Sequence, residues 1–265
     1  KEPNVYNNIH LLIKKFGEPF IRKAVRAAMK EMGNQFVLGQ SIEKAVKRGT
    51  SSQKKGYTFS YDMLGEAALT NKDATIYTNA YAETISYLSK YCTSDDIRDN
   101  PGISIKLSAL YPRYELVHKK AVLDILGNRL LDLALKAKKA NMGLNIDAEE
   151  AARLDLSLDI IEKVFSNPLL SGWNGFGVVV QSYSKRTLFV IDWLYALSSK
   201  YDQKIMVRLV KGAYWDTEIK ISQSEGMLDF PVFTSKAATD ISYLACASKL
   251  FEMTDYIFPQ FATHN

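Results

Sequence analysis

From Gly56 onward the chain repeats one unit: a short apolar run, a turn, and a longer segment with apolar residues at helical spacing. The short runs fall at residues 57–64, 102–107, 143–148, 175–181, 205–210 and 255–262, and helical patterns at 72–91, 119–140, 149–165, 188–198 and 240–251. Strands that alternate with helices run parallel, because each helix carries the chain back across the sheet and covers its outside. The first strand-to-helix turn lacks a G-x-G-x-x-G fingerprint, which argues against an open doubly wound sheet. Polar residues recur where the strands end: Asp62 and Glu66, Lys106, Asp147 with Glu149 and Glu150, Gln181, Arg208 and Lys211, then His264 and Asn265. In a (β/α)8 barrel those ends share the face on which active sites are built. The pattern therefore predicts an α/β chain whose residues 56–265 form a TIM-like (β/α)8 barrel with six of its eight strands visible. Two parallel edges left open would suit a soluble protein poorly. The parent polypeptide is thus expected to continue past Asn265, and this segment alone to be inactive or nearly so.

Residues 1–55 read differently, as a helical arm and α-domain. Apolar residues at helical spacing run from Ile9 to Met29, and Gly17, ahead of Glu18 and Pro19, divides them into two helices. Gly33 is expected to end the second, Ser41 to open a short third, and the polar stretch 51–56 to act as a linker. This segment carries +8 of the chain's net charge of +5, leaving −3 for the remainder. Its cations surround amphipathic helices without aromatic interleaving or a DNA-binding module, so a solvated face is favoured, a membrane-surface role comes second, and no nucleic-acid partner is indicated. The chain begins at Lys1 without a methionine or a secretory signal pattern, as a fragment or processed form does. Cys92 and Cys246 lie far apart in helical patterns and read as small buried hydrophobes in a reducing compartment. His10, His118 and His264 form no metal-spaced pair, and no metal site is expected.

The stretch 205–216 is the centre of the chain. Its apolar strand contains Arg208 and ends in Lys211, Gly212, Tyr214 and Trp215. A guanidinium inside an apolar strand requires a buried acceptor, and a strand ending in cation, glycine and aromatics suits a planar, anionic ligand. Each residue also has a plainer role: Lys106 a snorkelling edge lysine, Asp147 a helix N-cap, Gln181 a satisfier of loop backbone, Tyr214 and Trp215 packing residues. Two enzyme readings survive on physical grounds. Lys106 or Lys211 could be the Schiff-base nucleophile of an aldolase-like lyase, its pKa lowered by cationic neighbours. Alternatively, Arg208, Lys211, Gln181 and the aromatics hold a large anionic cofactor that carries the hard chemistry. A third reading, a basic helical binding module on a barrel scaffold, accounts for residues 1–55 but not for the polar strand ends.

Six motifs sharpen the choice: Tyr61-Asp-Met-Leu-Gly-Glu-Ala-Ala, Lys106-Leu-Ser-Ala-Leu-Tyr-Pro-Arg-Tyr, Asn145-Ile-Asp-Ala-Glu-Glu, Gly172-Trp-Asn-Gly-Phe-Gly-Val-Val-Val-Gln, Arg208-Leu-Val-Lys-Gly-Ala-Tyr-Trp-Asp and Pro259-Gln-Phe-Ala-Thr-His-Asn. In this order they resemble bacterial proline dehydrogenases, above all the flavin-dependent N-terminal part of proline utilization A. The resemblance implies a (β/α)8 barrel carrying FAD that oxidises L-proline to Δ1-pyrroline-5-carboxylate and passes electrons to membrane quinone. It further implies a cytoplasmic enzyme peripheral to the inner membrane face, continuing into an aldehyde dehydrogenase domain. Carried over by resemblance, Arg208 approaches the flavin N5, Gln181 and Lys211 bind the polar ring edge, and Val210 and Gly212 line it. Tyr214, Trp215, Thr234, Thr263, His264 and Asn265 belong to the cofactor's surroundings. Lys106 pairs with the proline carboxylate, and Asp147 sits beside the reacting centre, orienting Arg208 or Lys106. Ser235, Ala237 and Ala238 depart from the larger residues usual in the family, on the adenosine side. The family's carboxylate-gripping arginines belong to a final helix that this sequence does not include.

Overall fold

The computed structural model describes residues 17–263, and the chain divides between Tyr57 and Thr58 into two compact units. The first contains α1 (Glu18–Phe36) and α2 (Ile42–Gln53). Gly17 stands at the N-cap of α1 with Pro19 in the first turn, where a missing N–H is harmless. The helix does not stop at Gly33 but runs three residues further: a glycine inside a helix costs only about 1 kcal/mol, which the flanking turns absorb. Ser41 caps α2 by accepting from the Lys44 N–H, and α2 takes in Ser51, Ser52 and Gln53, half of the stretch expected as linker. Polar side chains left the helical tendency of that last turn intact.

The second unit is a six-stranded parallel sheet with its strands side by side in chain order. They are β1 (Ser60–Asp62), β2 (Gly102–Ile105), β3 (Leu144–Ile146), β4 (Phe176–Gln181), β5 (Ile205–Val210) and β6 (Ile257–Phe261). Between them run α3 (Asn71–Leu88), α4 (Gly127–Lys139), α5 (Leu154–Phe165), α6 (Thr187–Lys200), α7 (Trp215–Ser224) and α8 (Lys236–Glu252). A capping box starts α3: the Thr70 hydroxyl accepts from the Asp73 N–H while the Asp73 carboxylate accepts from the Thr70 N–H. The helix expected over 119–140 is interrupted by a single π turn, Val122–Leu126. There the Leu123 carbonyl finds its donor in the Lys163 ammonium at 2.7 Å. The helix α7 escaped the sequence reading, which left 217–225 unassigned; Asp216 and Glu218 in its first turn are an N-terminal signal that could have marked it.

Arg208 reveals the curvature of the sheet. Its guanidinium donates from Nη1 to Ser104 Oγ on β2 and from Nη2 to Ser60 Oγ on β1, both at 2.9 Å. In a flat sheet β5 and β1 would lie four strand spacings apart, about 19 Å, far beyond one side chain. The strands therefore curl around an interior, as those of a TIM-like barrel do. Alternation then sorts every side chain. Ser60, Ser104, Asn145 and Arg208 face inward, whereas Ile103, Ile105, Leu144, Ile146, Phe176, Val178, Val180, Val207 and Leu209 face outward and are buried beneath the helices. Each such aliphatic side chain contributes about 1.5–3 kcal/mol, so the outer layer carries the stability and leaves the interior free for polar groups.

Gly177 shows how closely that interior is filled. A Cβ there would lie 2.1 Å from Asn145 Oδ1, on the neighbouring strand at the same register. Gly177→Ala should therefore lower unfolding free energy by about 1–3 kcal/mol in a urea titration. A neutral result would show that Asn145 can move aside.

A candidate active site at the barrel mouth

The C-terminal ends of β1, β2 and β3 meet at one ion cluster. Lys106, the residue after β2, has its Nζ 2.9 Å from Asp62 Oδ1 and 2.9 Å from Asp147 Oδ2. Burial alone would lower the Lys106 pKa, but the charges of Asp147 and Asp62 overcome it and raise the pKa well above the ordinary lysine value. The Asp147 pKa is raised as well, by burial, with Lys106 and Arg208 opposing. The Lys106 side chain is 16% exposed and Asp147 17%, against 49% for Asp62, so Asp62 is the partner nearer solvent. Tyr81, buried in α3, accepts the Lys106 backbone N–H and anchors the strand exit.

Arg208 lies one layer below this cluster, since Ser60 and Ser104 are two residues before Asp62 and Lys106 on the same inward face. It is not among the residues that line the cleft, and its charge acts from beneath. Burial lowers its pKa, partly offset by the charges of Asp147 and Asp62. Among the described residues no carboxylate comes within 4.0 Å of the guanidinium. The buried acceptor expected from sequence is a pair of hydroxyls, and Asp147 holds Lys106 rather than Arg208.

Above lies a cleft of about 470 Å3 bordered by Asp62, Glu66, Lys106, Asp147, Gln181, Val210, Lys211, Gly212 and Tyr214. Lys211 and Gly212 also border a second cleft of about 400 Å3, with Tyr183, Trp215, Thr234 and Thr239. The two depressions form one elongated site. Gly212 adopts φ +142°, and a Cβ there would lie 2.4 Å from the Tyr183 ring, so only glycine permits this passage. The Lys211 ammonium is paired with Asp240, which also holds Lys236. Trp215 opens α7 and donates its indole N–H to the Phe233 carbonyl at 3.0 Å. Thr263 follows β6, exposed and outside the lining of either cleft. His264 and Asn265 lie outside the described residues.

The loops around the mouth are tied by side chains. Gln181 donates to the Glu149 carbonyl at 2.9 Å and accepts from the Ala213 N–H at 3.1 Å, so the loops after β3 and β5 are joined through one amide. This is the backbone-satisfying role; it uses one of the two amide N–H groups and one lone pair of the carbonyl oxygen, and Gln181 still borders the cleft. Glu149 accepts the Ser108 N–H at 2.9 Å and pairs with Arg153 at 2.6 Å. Glu218, buried on α7, accepts the Ala151 N–H at 2.6 Å. Ser60, Ser104, Tyr183 and Glu218 were not singled out from sequence; the two serines were detectable as polar residues two positions before Asp62 and Lys106.

A Schiff-base role does not survive this geometry. An amine nucleophile must be neutral, whereas Lys106 is a carboxylate-stabilised cation and Lys211 is spent on Asp240. Among the described residues no group of three or more His, Cys, Asp or Glu side chains is placed to hold a metal ion, and no helix is long and apolar enough to cross a membrane.

A curled parallel sheet whose strand ends converge on buried charge is the layout of a TIM-barrel enzyme domain. The model of the family described as proline dehydrogenase matches residues 45–265, and the chain belongs to that family. The bifunctional protein PutA of Salmonella typhimurium is 50% identical over 264 residues, covering 100% of this chain and 20% of the relative. A crystal structure of a mutant of Bradyrhizobium japonicum proline utilization A superposes with a TM-score of 0.84 at 52% identity, covering 96% of this chain and 26% of that one. Proline utilization A from Bdellovibrio bacteriovorus, inactivated by N-propargylglycine, superposes at 0.87 with 29% identity, covering 93% and 27%. The chain thus spans about a fifth of the length of the curated relatives it matches.

Burial raises the Glu149 pKa, with the Ser108 hydrogen bonds and the Arg153 charge opposing. A raised folded-state pKa means that the folded protein holds the proton more tightly than the unfolded chain. Relative to Glu149→Gln, which cannot titrate, the wild-type chain should therefore gain stability as pH falls through that pKa and lose it as pH rises. Urea titrations between pH 4.5 and 8 would read this as a changing difference; a constant difference would contradict it. Glu149→Ala, which strands the Ser108 N–H, should cost about 1–3 kcal/mol.

Proposed function

We propose that this chain is the proline-oxidising part of a longer flavoenzyme, converting L-proline to Δ1-pyrroline-5-carboxylate with FAD and passing the electrons to membrane quinone. The observation that carries the reading is the Lys106 ammonium, held between Asp62 and Asp147 at the mouth of a barrel whose residues 45–265 match proline dehydrogenases. A protonated, half-enclosed amine suits a substrate carboxylate. On entry that carboxylate replaces the more exposed Asp62 while Asp147 keeps the ammonium aimed, which favours reaction through orientation.

The donor set fits FAD. The elongated double cleft, the glycine-only passage at Gly212, the uncompensated Arg208 charge beneath it and the half-exposed Trp215 ring together suit a flat anionic ring system with an extended tail. FAD, when bound, supplies the hydride acceptor. Val210, Lys211 and Gly212 would hold its ring, with Gln181 bracing the loops beside it. Tyr214, Trp215 and Thr234 would flank the remainder, and Thr263, His264 and Asn265 belong to the same proposed surroundings. Arg208 supplies positive charge where negative charge develops, and preorganised charge in a half-buried site lowers a barrier more than the same charge in water. Further proposals are a continuation into an aldehyde dehydrogenase domain, a cytoplasmic location and peripheral attachment to the inner membrane face.

The purified full-length protein should show flavin absorption that bleaches anaerobically on addition of L-proline. Lys106→Met should raise KM for proline about 10- to 100-fold, the loss of one charge-assisted hydrogen bond. Because Lys106 stays protonated at neutral and mildly alkaline pH, borohydride with a keto acid should leave it unlabelled. A colourless protein labelled at Lys106 would instead establish the lyase reading.

A further inference from the structure

Two cations and two carboxylates occupy adjacent layers of the barrel interior, yet they are not paired one to one. Lys106 takes both Asp62 and Asp147, whereas Arg208 takes two neutral hydroxyls. Both carboxylates lie one layer up, two residues beyond Ser60 and directly after β3, and their charges act on the guanidinium. Guanidinium and carboxylate match as paired forks, which makes Arg208 the better partner on geometry alone. Something must therefore keep the guanidinium where it is.

We propose that Ser60 and Ser104 are positioning residues that hold Arg208 away from Asp62 and Asp147, keeping its charge uncompensated beneath the cleft and reserving both carboxylates for Lys106. The two hydroxyls are 3.3 Å apart on adjacent strands and each accepts one guanidinium N–H at 2.9 Å. Ser104 is 1% exposed, so no bulk water competes for its place. Hydroxyl acceptors satisfy the donors without cancelling the charge, which a carboxylate would do. Alanine at both positions removes the acceptors and releases the guanidinium onto a carboxylate one layer up. Lys106 then loses a partner, and the cleft loses the unopposed positive charge below it. The inference rests on the flavin reading for its consequence and on the described geometry for its cause.

The test uses the full-length, flavin-loaded protein carrying Ser60→Ala and Ser104→Ala together. Its crystal structure should show the Arg208 guanidinium bonded to Asp62 or Asp147. Spectroelectrochemical titration should show the flavin's preference for the reduced state weakened about tenfold, which for a two-electron couple is about 30 mV. Ser60→Thr, which retains the hydroxyl on an exposed strand position, should keep the wild-type potential. A guanidinium that stays in place, or a potential that does not move, overturns the proposal. Should the double variant fail to fold, Ser104→Ala alone, at the buried position where water does not replace the lost acceptor, carries the same two measurements, with a shift of about threefold expected and an unchanged value overturning the proposal. The two readings fail separately. Wild-type flavin untouched by L-proline removes the proposed function, while the displacement and the potential still decide the role of the serines. A flavin-free preparation likewise removes the proposed function and leaves the position of the guanidinium to decide.

Discussion

A single guanidinium on β5, hydrogen-bonded to hydroxyls on β1 and β2, is the contact around which the polar interior of the described sheet is arranged. Its span across the interior marks how far the paired strands have curled, and because it is charged, that interior has to be polar. Hydroxyl acceptors leave the buried charge without an ion-pair partner, and burial depresses its pKa. The aliphatic layer between sheet and helices carries the stability that permits it. The division of labour is spatial: outward-facing residues hold the fold, and inward-facing residues are free to be costly.

The same division orders the mouth. Lys106 is fixed by two carboxylates of unequal exposure, a deeper one in Asp147 and a shallower one in Asp62. Around it, Glu149, Glu218 and Gln181 use their side chains on backbone groups of neighbouring loops. Burial raises the pKa of both Glu149 and Glu218, so each is held at the expense of its own charge. Rigid loops over a charged floor are a sound way to keep an active-site geometry that the short strands could not enforce alone.

Much of this could be read before any coordinates. The parallel sheet followed from alternation of short and long apolar patterns, and the barrel from polar residues placed at strand ends. Asp147, Lys106, Lys211, Gly212, Trp215 and Thr234 all border the elongated cleft or its ion cluster, because a barrel gathers the ends of its strands regardless of loop detail. Other features were hidden because they rest on contacts between distant residues. Nothing local in Ser60 or Ser104 announces a partner on β5, and Gln181 could not be assigned to loop backbone until both loops were placed. The extension of α1 through Gly33 and the π turn at Val122–Leu126 show that residue preferences are weak where neighbouring turns or a distant lysine supply the compensation.

The amide of Gln181 bears on how such a barrel could be re-engineered. It grips two loops at once, so a substitution there would disturb both rims of the cavity together and any change in selectivity would come mixed with loosened architecture. Glu66 and Thr234 border the clefts from positions whose side chains make no such pair of bonds to two loops among the described residues. Libraries aimed at reshaping the cleft would do better to begin there and leave position 181 untouched.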